Sequence, residues 1–304
     1  MAQQASPLHV RGSGTGHVLD RKLLLDGAAR SLSAVPRPFL RWAGSKQRVL
    51  RQLVPHLPAS FDRYFEPFLG AGSLFFLLRP TRVVLADACV ELVETYRAVA
   101  SDPNAVLDWL SGLNPLDKDL YYRVRARRSE DPVRRAAEFI FLNRAGWNGL
   151  YRVNSRGEFN VPYGAPKTAN LIDSTNLLEC SRLLAQRHMT ITAGDFERVV
   201  EDCEPGDFVF FDPPYVTSHN NNGFIDYNER LFSWKDQIRL AEVVRHLAAK
   251  NVNVLVTNAN HKGVLDLYAD FVTSPISRAS TLAGSRAARR PVTETVIRTY
   301  DVPS

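Results

Sequence analysis

The chain has 304 residues and a mass of 34.1 kDa, which suits one large α/β domain or such a domain with an insertion. Its apolar content of 45% is ordinary for a globular protein, and no apolar run approaches the roughly 20 residues of a membrane span. The net charge of +6 favours a polyanionic partner, and three scattered cysteines indicate neither a disulfide framework nor a zinc site.

Residues 1–36 show no stable periodicity, although they contain a glycine-rich stretch, Gly12–Gly16, and a short leucine run, Leu23–Leu25. We therefore predict a flexible N-terminal extension, of which a part could be a tag remnant. No secretory signal is visible in this stretch, so we expect a cytosolic protein.

Ordered structure is predicted to begin at Pro38–Lys46, because apolar residues then recur at helical spacing up to Leu57. A glycine–serine loop before a helix presents free backbone N–H groups and the positive end of the helix dipole. With Lys46 in the loop, the segment could receive a carboxylate. An ordinary helix start, with Trp42 as core filler, is the alternative.

A strand, a glycine turn and an apolar helix follow over Arg63–Leu78. This order predicts the first βα unit of a Rossmann-like sheet, in which Gly70 and Gly72 let the backbone approach a ligand. A second strand, Val83–Asp87, ends in an acid that could accept hydrogen bonds from ribose hydroxyls. Because the third glycine of the dinucleotide fingerprint is missing, these residues fit either a nicotinamide cofactor or S-adenosylmethionine.

Residues 91–186 interrupt the alternation of strands and helices. Ala136–Leu142 predicts a helix, and a stretch rich in asparagine, arginine and glycine follows it. From Lys118 to Arg187, 13 lysines and arginines stand against 7 acids, an excess of +6. Basic residues interleaved with aromatic ones hold phosphates and touch bases, so we predict a mainly helical nucleic-acid-binding insertion. A solvated basic surface is the alternative.

The alternation resumes with a third strand that ends in an acid and an aromatic residue, Asp195 and Phe196, a pair suited to an adenine ring. The next strand, Asp207–Phe211, is apolar after its first residue, which predicts burial on both faces. Two prolines after Asp212 then end any hydrogen-bonded ladder. Asp212 is therefore expected at the carboxyl end of a central strand, where open α/β sheets bind ligands.

Asp212, Pro213, Pro214 and Tyr215 form a stiff corner with two fixed acceptors, the Asp212 carboxylate and the Pro213 carbonyl, beside a flat aromatic face. Such a corner suits an amino group on an aromatic ring. Its two hydrogens can be bound while its lone pair points at an electrophile, which favours S-adenosylmethionine over a nicotinamide. A proline-rich turn without a catalytic role is the alternative.

Beyond the corner, His219–Gly223 is predicted to be a polar lid. A helix around Leu240–Leu247 and a buried strand, Val252–Asn258, follow it. The stretch Phe271–Tyr300 predicts two strands, whose connection is a second candidate phosphate contact through Arg278, Arg286, Arg289 and Arg290.

Four parts of the chain, in one order, resemble the Dam-type (α-group) DNA adenine-N6 methyltransferases: Phe39–Lys46, Phe65–Gly72, Leu142–Leu150 with Arg156–Pro162, and Asp212–Tyr215. The resemblance covers roughly residues 37–300. It implies an α/β, Rossmann-like, S-adenosylmethionine-dependent methyltransferase core with an inserted, mainly helical target-recognition domain. The catalytic domain would comprise residues 37–90 and 187–304, and the recognition domain residues 91–186.

The resemblance also implies the reaction. A methyl group would pass from S-adenosylmethionine to N6 of an adenine flipped out of double-stranded DNA, within GATC or a related short site. The products would be N6-methyladenine and S-adenosylhomocysteine, and no metal would be required. A cytoplasmic, DNA-associated enzyme of a bacterial or phage-infected cell is implied, with a cognate restriction endonuclease as potential partner and with no membrane or obligate protein partner.

Site residues carry over by position. The S-adenosylmethionine pocket would comprise Trp42, Lys46, Phe68, Gly70, Ala71, Gly72, Asp87, Asp195, Phe196 and Asp212, and catalysis would use Asp212, Pro213, Pro214 and Tyr215. DNA would be contacted by Arg41, Arg144, Trp147, Asn148, Leu150, Arg152, Asn154, Arg156, Asn160 and Pro162. Trp147 matches an aromatic residue that wedges into the duplex.

Three positions depart from the family pattern: Arg41, Ser45 and Trp147 stand where lysine, glycine and tyrosine are common. Arginine and lysine can both contact guanine, so Arg41 is compatible with GATC recognition. Three rival functions stay open: methylation of cytosine N4 or of RNA on the same fold, DNA binding without catalysis, and a nicotinamide-dependent oxidoreductase. The last leaves the Asp212–Tyr215 corner and the basic insertion unexplained.

Overall fold

The structure, a computed structural model, describes residues 16–29, 36–215, 232–279 and 291–302. Its strands in chain order are β1 (His17–Val18), β2 (Ser60–Phe61), β3 (Tyr64–Glu66), β4 (Arg82–Asp87), β5 (His188–Ala193), β6 (Phe208–Phe211), β7 (Asn253–Ala259), β8 (Val272–Ala279) and β9 (Pro291–Arg298). Seven of these form one sheet in the order β5-β4-β3-β6-β7-β9-β8. Strands β3 to β7 run parallel, whereas β9 is antiparallel to both of its neighbours.

The α-helices of the described stretches are α1 (Arg21–Ala29), α2 (Leu50–Leu53), α3 (Ser73–Leu78), α4 (Val90–Ser101), α5 (Pro103–Ser111), α6 (Lys118–Ala126), α7 (Pro132–Ala145), α8 (Ser174–Leu184), α9 (Phe196–Val199), α10 (Trp234–Ala249) and α11 (Lys262–Leu267). Short 3₁₀ helices span Lys46–Arg48, Val54–His56 and Trp147–Gly149. No helix in these stretches is long and apolar enough to cross a membrane.

The expected mixed α/β fold with a mostly parallel central sheet is confirmed. All four residues of β6 are buried, as the apolar run predicts for a strand covered on both faces. The chain runs from β3 outwards through β4 and β5 on one side, and through β6 and β7 on the other. The carboxyl ends of β3 and β6 therefore border the switch point, where ligands bind in open α/β sheets.

Helices α4 to α8 lie between β4 and β5 in the chain. Their apolar side chains, such as Leu92, Ile140 and Leu177, belong to the same hydrophobic cluster as Leu74 of α3 and Leu85 of β4. The segment that interrupts the strand–helix alternation thus shares its core with the sheet.

Residues 17–29, which the sequence interpretation assigns to a flexible N-terminal extension, form strand β1 and helix α1. Strand β1 pairs with β2, and Asp20 accepts a hydrogen bond from the Leu23 backbone N–H at the start of α1. Leu24 is only 5% exposed and joins the main hydrophobic cluster, while Arg21 donates to the Leu57 carbonyl. Burial of one leucine on a capped helix stabilises a segment whose own periodicity is too short to reveal it.

Residues 1–15 and 30–35 lie outside the described part of the chain. The predicted lid at His219–Gly223 also lies there, as does the connection formed by residues 280–290.

Candidate active site and nucleic-acid interface

Asp212 leaves β6 at the carboxyl edge of the sheet, and its side chain is 16% exposed. The Lys46 ammonium lies 2.6 Å from Oδ1, and the Thr257 hydroxyl of β7 donates to the same oxygen at 2.7 Å. Both contacts use Oδ1, so, within the described residues, Oδ2 is left for a ligand. Burial raises the pKa of Asp212, and the positive charge of Lys46 opposes that rise.

Lys46 reaches Asp212 from the 3₁₀ helix that precedes α2. The lysine is only 2% exposed, and its ammonium also donates to the Gly44 carbonyl at 2.8 Å. A buried ammonium requires such partners, because desolvation of an unpaired charge is strongly unfavourable. The predicted carboxylate contact of this segment is thus made within the chain.

Tyr215 completes the corner, next to the buried Pro213 and the half-buried Pro214. Its hydroxyl donates to Oε2 of Glu294 in β9 at 2.9 Å, and the Lys46 ammonium lies 5.0 Å from its ring centroid. These contacts fix the ring beside Asp212.

A second buried acid, Glu66, lies at the carboxyl end of β3 and accepts a hydrogen bond from the Tyr64 hydroxyl at 2.9 Å. Burial raises the pKa of Glu66 to about 8, and the charge of Asp212 adds to the rise. Glu66 is therefore largely protonated at neutral pH.

The sequence interpretation did not assign functional roles to Tyr64, Glu66, Thr257 or Glu294. A polar residue inside an otherwise apolar strand is the signal that could have found them, because burying such a group is unfavourable unless it has a partner. That signal is clearest for Thr257 in the run Val254–Asn258.

The glycine turn after β3 packs tightly against neighbouring side chains. Gly70 and Gly72 have positive φ angles of +47° and +64°, and Ala71 between them is buried. A Cβ on Gly70 would lie 2.7 Å from the Trp42 ring, so only glycine fits. The Asp87 carboxylate accepts the backbone N–H groups of Gly70 and Cys89, each at 2.9 Å.

The predicted adenine-binding pair, Asp195 and Phe196, makes contacts with other side chains of the protein. Phe196 is buried, its ring stacks on Phe68 at 5.4 Å, and the Arg239 guanidinium lies 4.4 Å from its centroid. Asp195 accepts two hydrogen bonds from Arg239, at 2.8 and 3.1 Å. Phe68 is half-buried, so it offers the more accessible ring for stacking.

The predicted DNA contacts gather around the turn that follows α7. Asn143, near the end of that helix, is 3% exposed and accepts the Arg41 backbone N–H at 2.8 Å. Its amide donates to the carbonyls of Arg41, at 2.7 Å, and of Gly149, at 3.1 Å. A Cβ on Gly149 would lie 2.5 Å from Arg41 Cβ. One buried amide therefore holds Arg41 against the turn.

Trp147 stands on this turn with 54% of its surface exposed, beside the exposed Asn148 and the half-buried Leu150. Its backbone N–H donates to the Pro162 carbonyl at 2.9 Å, which ties the turn to the next segment. An exposed tryptophan on a restrained turn can enter a base stack.

Residues 151–160 form a hairpin with a bridge between Val153 and Phe159. The side-chain oxygen Oδ1 of Asn154 accepts the backbone N–H groups of Arg156 and Glu158, and Arg156 also pairs with the Glu158 carboxylate. At the open side, exposed Arg152 donates to the side chain of half-buried Asn160 at 2.7 Å. Arg152 and Arg156 are thus exposed, and Asn154 shapes the tip.

Arg144, a predicted DNA contact, is only partly accessible. It is half-buried and donates to the Leu171 carbonyl at 2.7 Å, and burial lowers its pKa. It lines a surface groove together with Arg41 and Lys167, so it adds positive charge beside the turn.

The segment Arg41–Lys46 links the corner to the turn at which the predicted DNA contacts lie. Arg41 contacts the turn and Lys46 contacts Asp212. Between them, Trp42 stacks on Tyr151 with ring centroids 5.5 Å apart and also packs on Gly70. A displacement of the turn would therefore shift Arg41–Lys46 and change the position of Lys46 relative to Asp212.

The chain is similar to known DNA-modifying proteins. Residues 42–281 match the profile of D12 class N6 adenine-specific DNA methyltransferases. The Type II methyltransferase M1.LlaDCHI of Lactococcus lactis subsp. cremoris is 34% identical over 275 residues, which cover 87% of this chain and 95% of that protein. The Type II methyltransferase M.MjaIII of Methanocaldococcus jannaschii is 38% identical over 245 residues, with coverages of 73% and 84%. A DNA adenine methylase of Escherichia coli is 29% identical over 263 residues, with coverages of 85% and 93%.

Proposed function

The chain belongs to the family of D12 class N6 adenine-specific DNA methyltransferases, and on that premise we propose its complete reaction. It transfers a methyl group from S-adenosylmethionine to N6 of an adenine flipped out of duplex DNA, within GATC or a related short site. The observation that carries the proposal is the arrangement at Asp212, where Lys46 and Thr257 both bind Oδ1. The opposite oxygen can then accept a substrate amine.

In this reaction Asp212 Oδ2 and the Pro213 carbonyl accept the two hydrogens of the adenine amine. Lys46 favours the ionised form of Asp212, which is the form that accepts. The amine lone pair forms the new C–N bond, and the proton of the resulting ammonium passes to solvent. No strong base is needed before transfer, because the methylated ammonium is acidic.

The residues present fit S-adenosylmethionine, since an acid ends β4, a glycine turn follows the neighbouring strand β3, and the corner follows β6 on the other side of β3. When bound, the cofactor supplies a methyl group on a sulfonium, and the electrons of the broken C–S bond stay on sulfur. Asp87 retains lone pairs for ribose hydroxyls beyond its contacts with backbone N–H groups. Phe68 can stack on the adenine ring, whereas Phe196 and Asp195 require Arg239 to shift.

The region 91–186 serves as the target-recognition domain in this proposal. Trp147 enters the stack and fills the space of the flipped base, whose extrusion costs a few kcal/mol, and stacking on Tyr215 offsets part of it. Arg41 and Arg152 read base edges in this proposal. Both are exposed, and Arg41 is held against the turn that carries Trp147. The Type II names of two relatives extend the proposal to a cognate restriction endonuclease as partner.

The test is direct. The purified protein is incubated with unmethylated duplex DNA and S-adenosylmethionine, and the digested nucleosides are identified by mass spectrometry. N6-methyladenine is expected, and N4-methylcytosine alone would contradict the proposal. Single-molecule sequencing of DNA from expressing cells then gives the site, and methylation spread over unrelated sequences would rule out site-specific recognition.

A further inference from the structure

A buried carboxylate lies near the start of β9, outside the Asp212–Tyr215 corner. Glu294 pairs with Ala259 of β7, which puts it at the edge of the sheet where β6 also ends. Its side chain is 0% exposed. Burial of a carboxylate is unfavourable unless charged or hydrogen-bonding groups compensate it, so the partners of Glu294 indicate what it does.

Among those partners, in the described residues, are two groups that border Asp212. The Tyr215 hydroxyl donates to Glu294 Oε2 at 2.9 Å, and the Lys46 ammonium lies 3.8 Å from the same oxygen. That ammonium is 2.6 Å from Asp212 Oδ1. Glu294 is therefore connected to the corner twice, through the aromatic ring and through the lysine.

We infer that Glu294 is a positioning residue of methyl transfer, which fixes the Tyr215 ring through its hydroxyl and shares Lys46 with Asp212. The inference rests on the proposed function, because it assigns a role within that reaction. The hydroxyl bond restrains rotation of the ring on which the flipped base stacks. An ammonium between two carboxylates stays on the Oδ1 side of Asp212, and Oδ2 remains directed at the substrate amine.

The charge of Glu294 also bears on the ionisation of Asp212. Burial raises the pKa of Asp212, Lys46 lowers it, and Glu294 raises it further. In the described stretches of the chain, titratable groups face Asp212 from four elements. These groups are Lys46 from the 3₁₀ helix before α2, Tyr64 and Glu66 from β3, Tyr215 from the corner and Glu294 from β9. Removal of the Glu294 charge alone should therefore make Asp212 ionise at lower pH.

Two variants separate the two connections. Glu294→Gln keeps an oxygen that accepts from Tyr215 but removes the charge, whereas Glu294→Ala removes both. Glu138→Gln is the control, because Glu138 of α7 is likewise buried, 3% exposed, and pairs with Arg134 away from the corner. The full-length variants are compared in single-turnover methylation of a duplex with one site at saturating S-adenosylmethionine, as a function of pH.

For Glu294→Gln we expect a plateau rate near that of wild type and an acid limb moved by ~0.5–1 unit to lower pH. For Glu294→Ala we expect a plateau rate lower by roughly tenfold to a hundredfold, since the ring loses its anchor. The control should keep the wild-type limb.

An acid limb that stays in place or moves to higher pH in Glu294→Gln overturns the inference, and so does a wild-type rate in Glu294→Ala. If Glu294→Ala fails to fold, the profile of Glu294→Gln decides alone. A wild-type chain that leaves adenine in duplex DNA unmethylated would instead contradict the proposed function itself.

Discussion

The two oxygens of the Asp212 carboxylate have different partners. Its Oδ1 is bound by Lys46 and Thr257, and the proposed reaction uses the other oxygen. For Asp212→Ala we expect the single-turnover methylation rate to fall by roughly 10²–10³-fold, because a preorganised acceptor is lost. DNA affinity, measured by gel shift, should stay near that of wild type, since the exposed turn is untouched.

The control for this change is Asp270→Ala. The Asp270 side chain is 72% exposed and pairs only with a surface arginine in the described part of the chain. It should methylate at the wild-type rate. An Asp212→Ala variant that does the same would show that the corner does not hold the amine.

Arg152 is expected to act on sequence choice. Its guanidinium is exposed and is oriented by a hydrogen bond to Asn160. For Arg152→Ala we expect discrimination between the cognate site and single-base variants to weaken by about 1–3 kcal/mol, with a smaller effect on the rate at the cognate site. Methylation of a panel of one-base-substituted duplexes measures this.

The matched change is Arg51→Ala, at an exposed position of α2, which should leave the panel unchanged. If Arg152→Ala methylates the panel in the wild-type pattern, Arg152 is not a reader of the site.

Among the elements, the turn after α7 is held in place by hydrogen bonds from Asn143. Its amide makes three hydrogen bonds, two to Arg41 and one to Gly149. Asn143→Asp replaces the donating nitrogen by an acceptor that faces two carbonyls. We expect the free energy of unfolding to fall by about 1–3 kcal/mol. Site discrimination should also weaken, because Arg41 is no longer held against the turn that carries Trp147.

Thermal unfolding and the same duplex panel measure these effects. Asn104→Asp, at an exposed position of α5, is the control and should behave as wild type. Loss of stability with full discrimination would mean that Asn143 only supports the fold.

Two other elements differ from their sequence patterns. The apolar spacing from Val49 to Leu57 predicts one helix, but the chain forms α2 and then a 3₁₀ helix at Val54–His56. Pro55 explains the break. Proline has no backbone N–H to donate a helical hydrogen bond, and it disfavours helical φ and ψ angles at the preceding residue. Segment α1 is ordered by the partners it meets, since Leu24 is buried against them.

For the molecule as a whole, the buried acids make stability depend on pH. Burial raises the pKa of Glu66 from 4.5 to about 8, so the folded chain binds a proton that the unfolded chain releases between these values. The resulting stabilisation is fully present below about pH 4.5 and is lost as the pH rises towards 8. Glu66→Gln mimics the protonated acid and should keep its stability throughout.

At pH 8 we expect Glu66→Gln to exceed wild type in free energy of unfolding by on the order of a few kcal/mol, and the difference should shrink towards pH 5. Denaturant unfolding at several pH values measures it. Glu130→Gln, at an exposed position before α7, should follow wild type. A Glu66→Gln difference that does not vary with pH would show that Glu66 is ionised in the folded chain.

Local patterns in the sequence determined several parts of the molecule. The apolar run before Asp212 and the two prolines after it define a buried strand that ends at the corner, and glycine at positions 70 and 72 permits the positive φ angles of the turn. Four motifs in one order also identified the family. These features depend on residues that are close in the chain.

Only the tertiary structure decided what surrounds the corner. Lys46, Thr257 and Glu294 meet Asp212 and Tyr215 because strand order and register bring distant segments to one edge of the sheet. Periodicity tells which face of a strand is buried, but it does not tell which strands are neighbours. The burial of α1 and the hydrogen bonds of Asn143 to Arg41 could not be predicted either, because both depend on partners far away in the sequence.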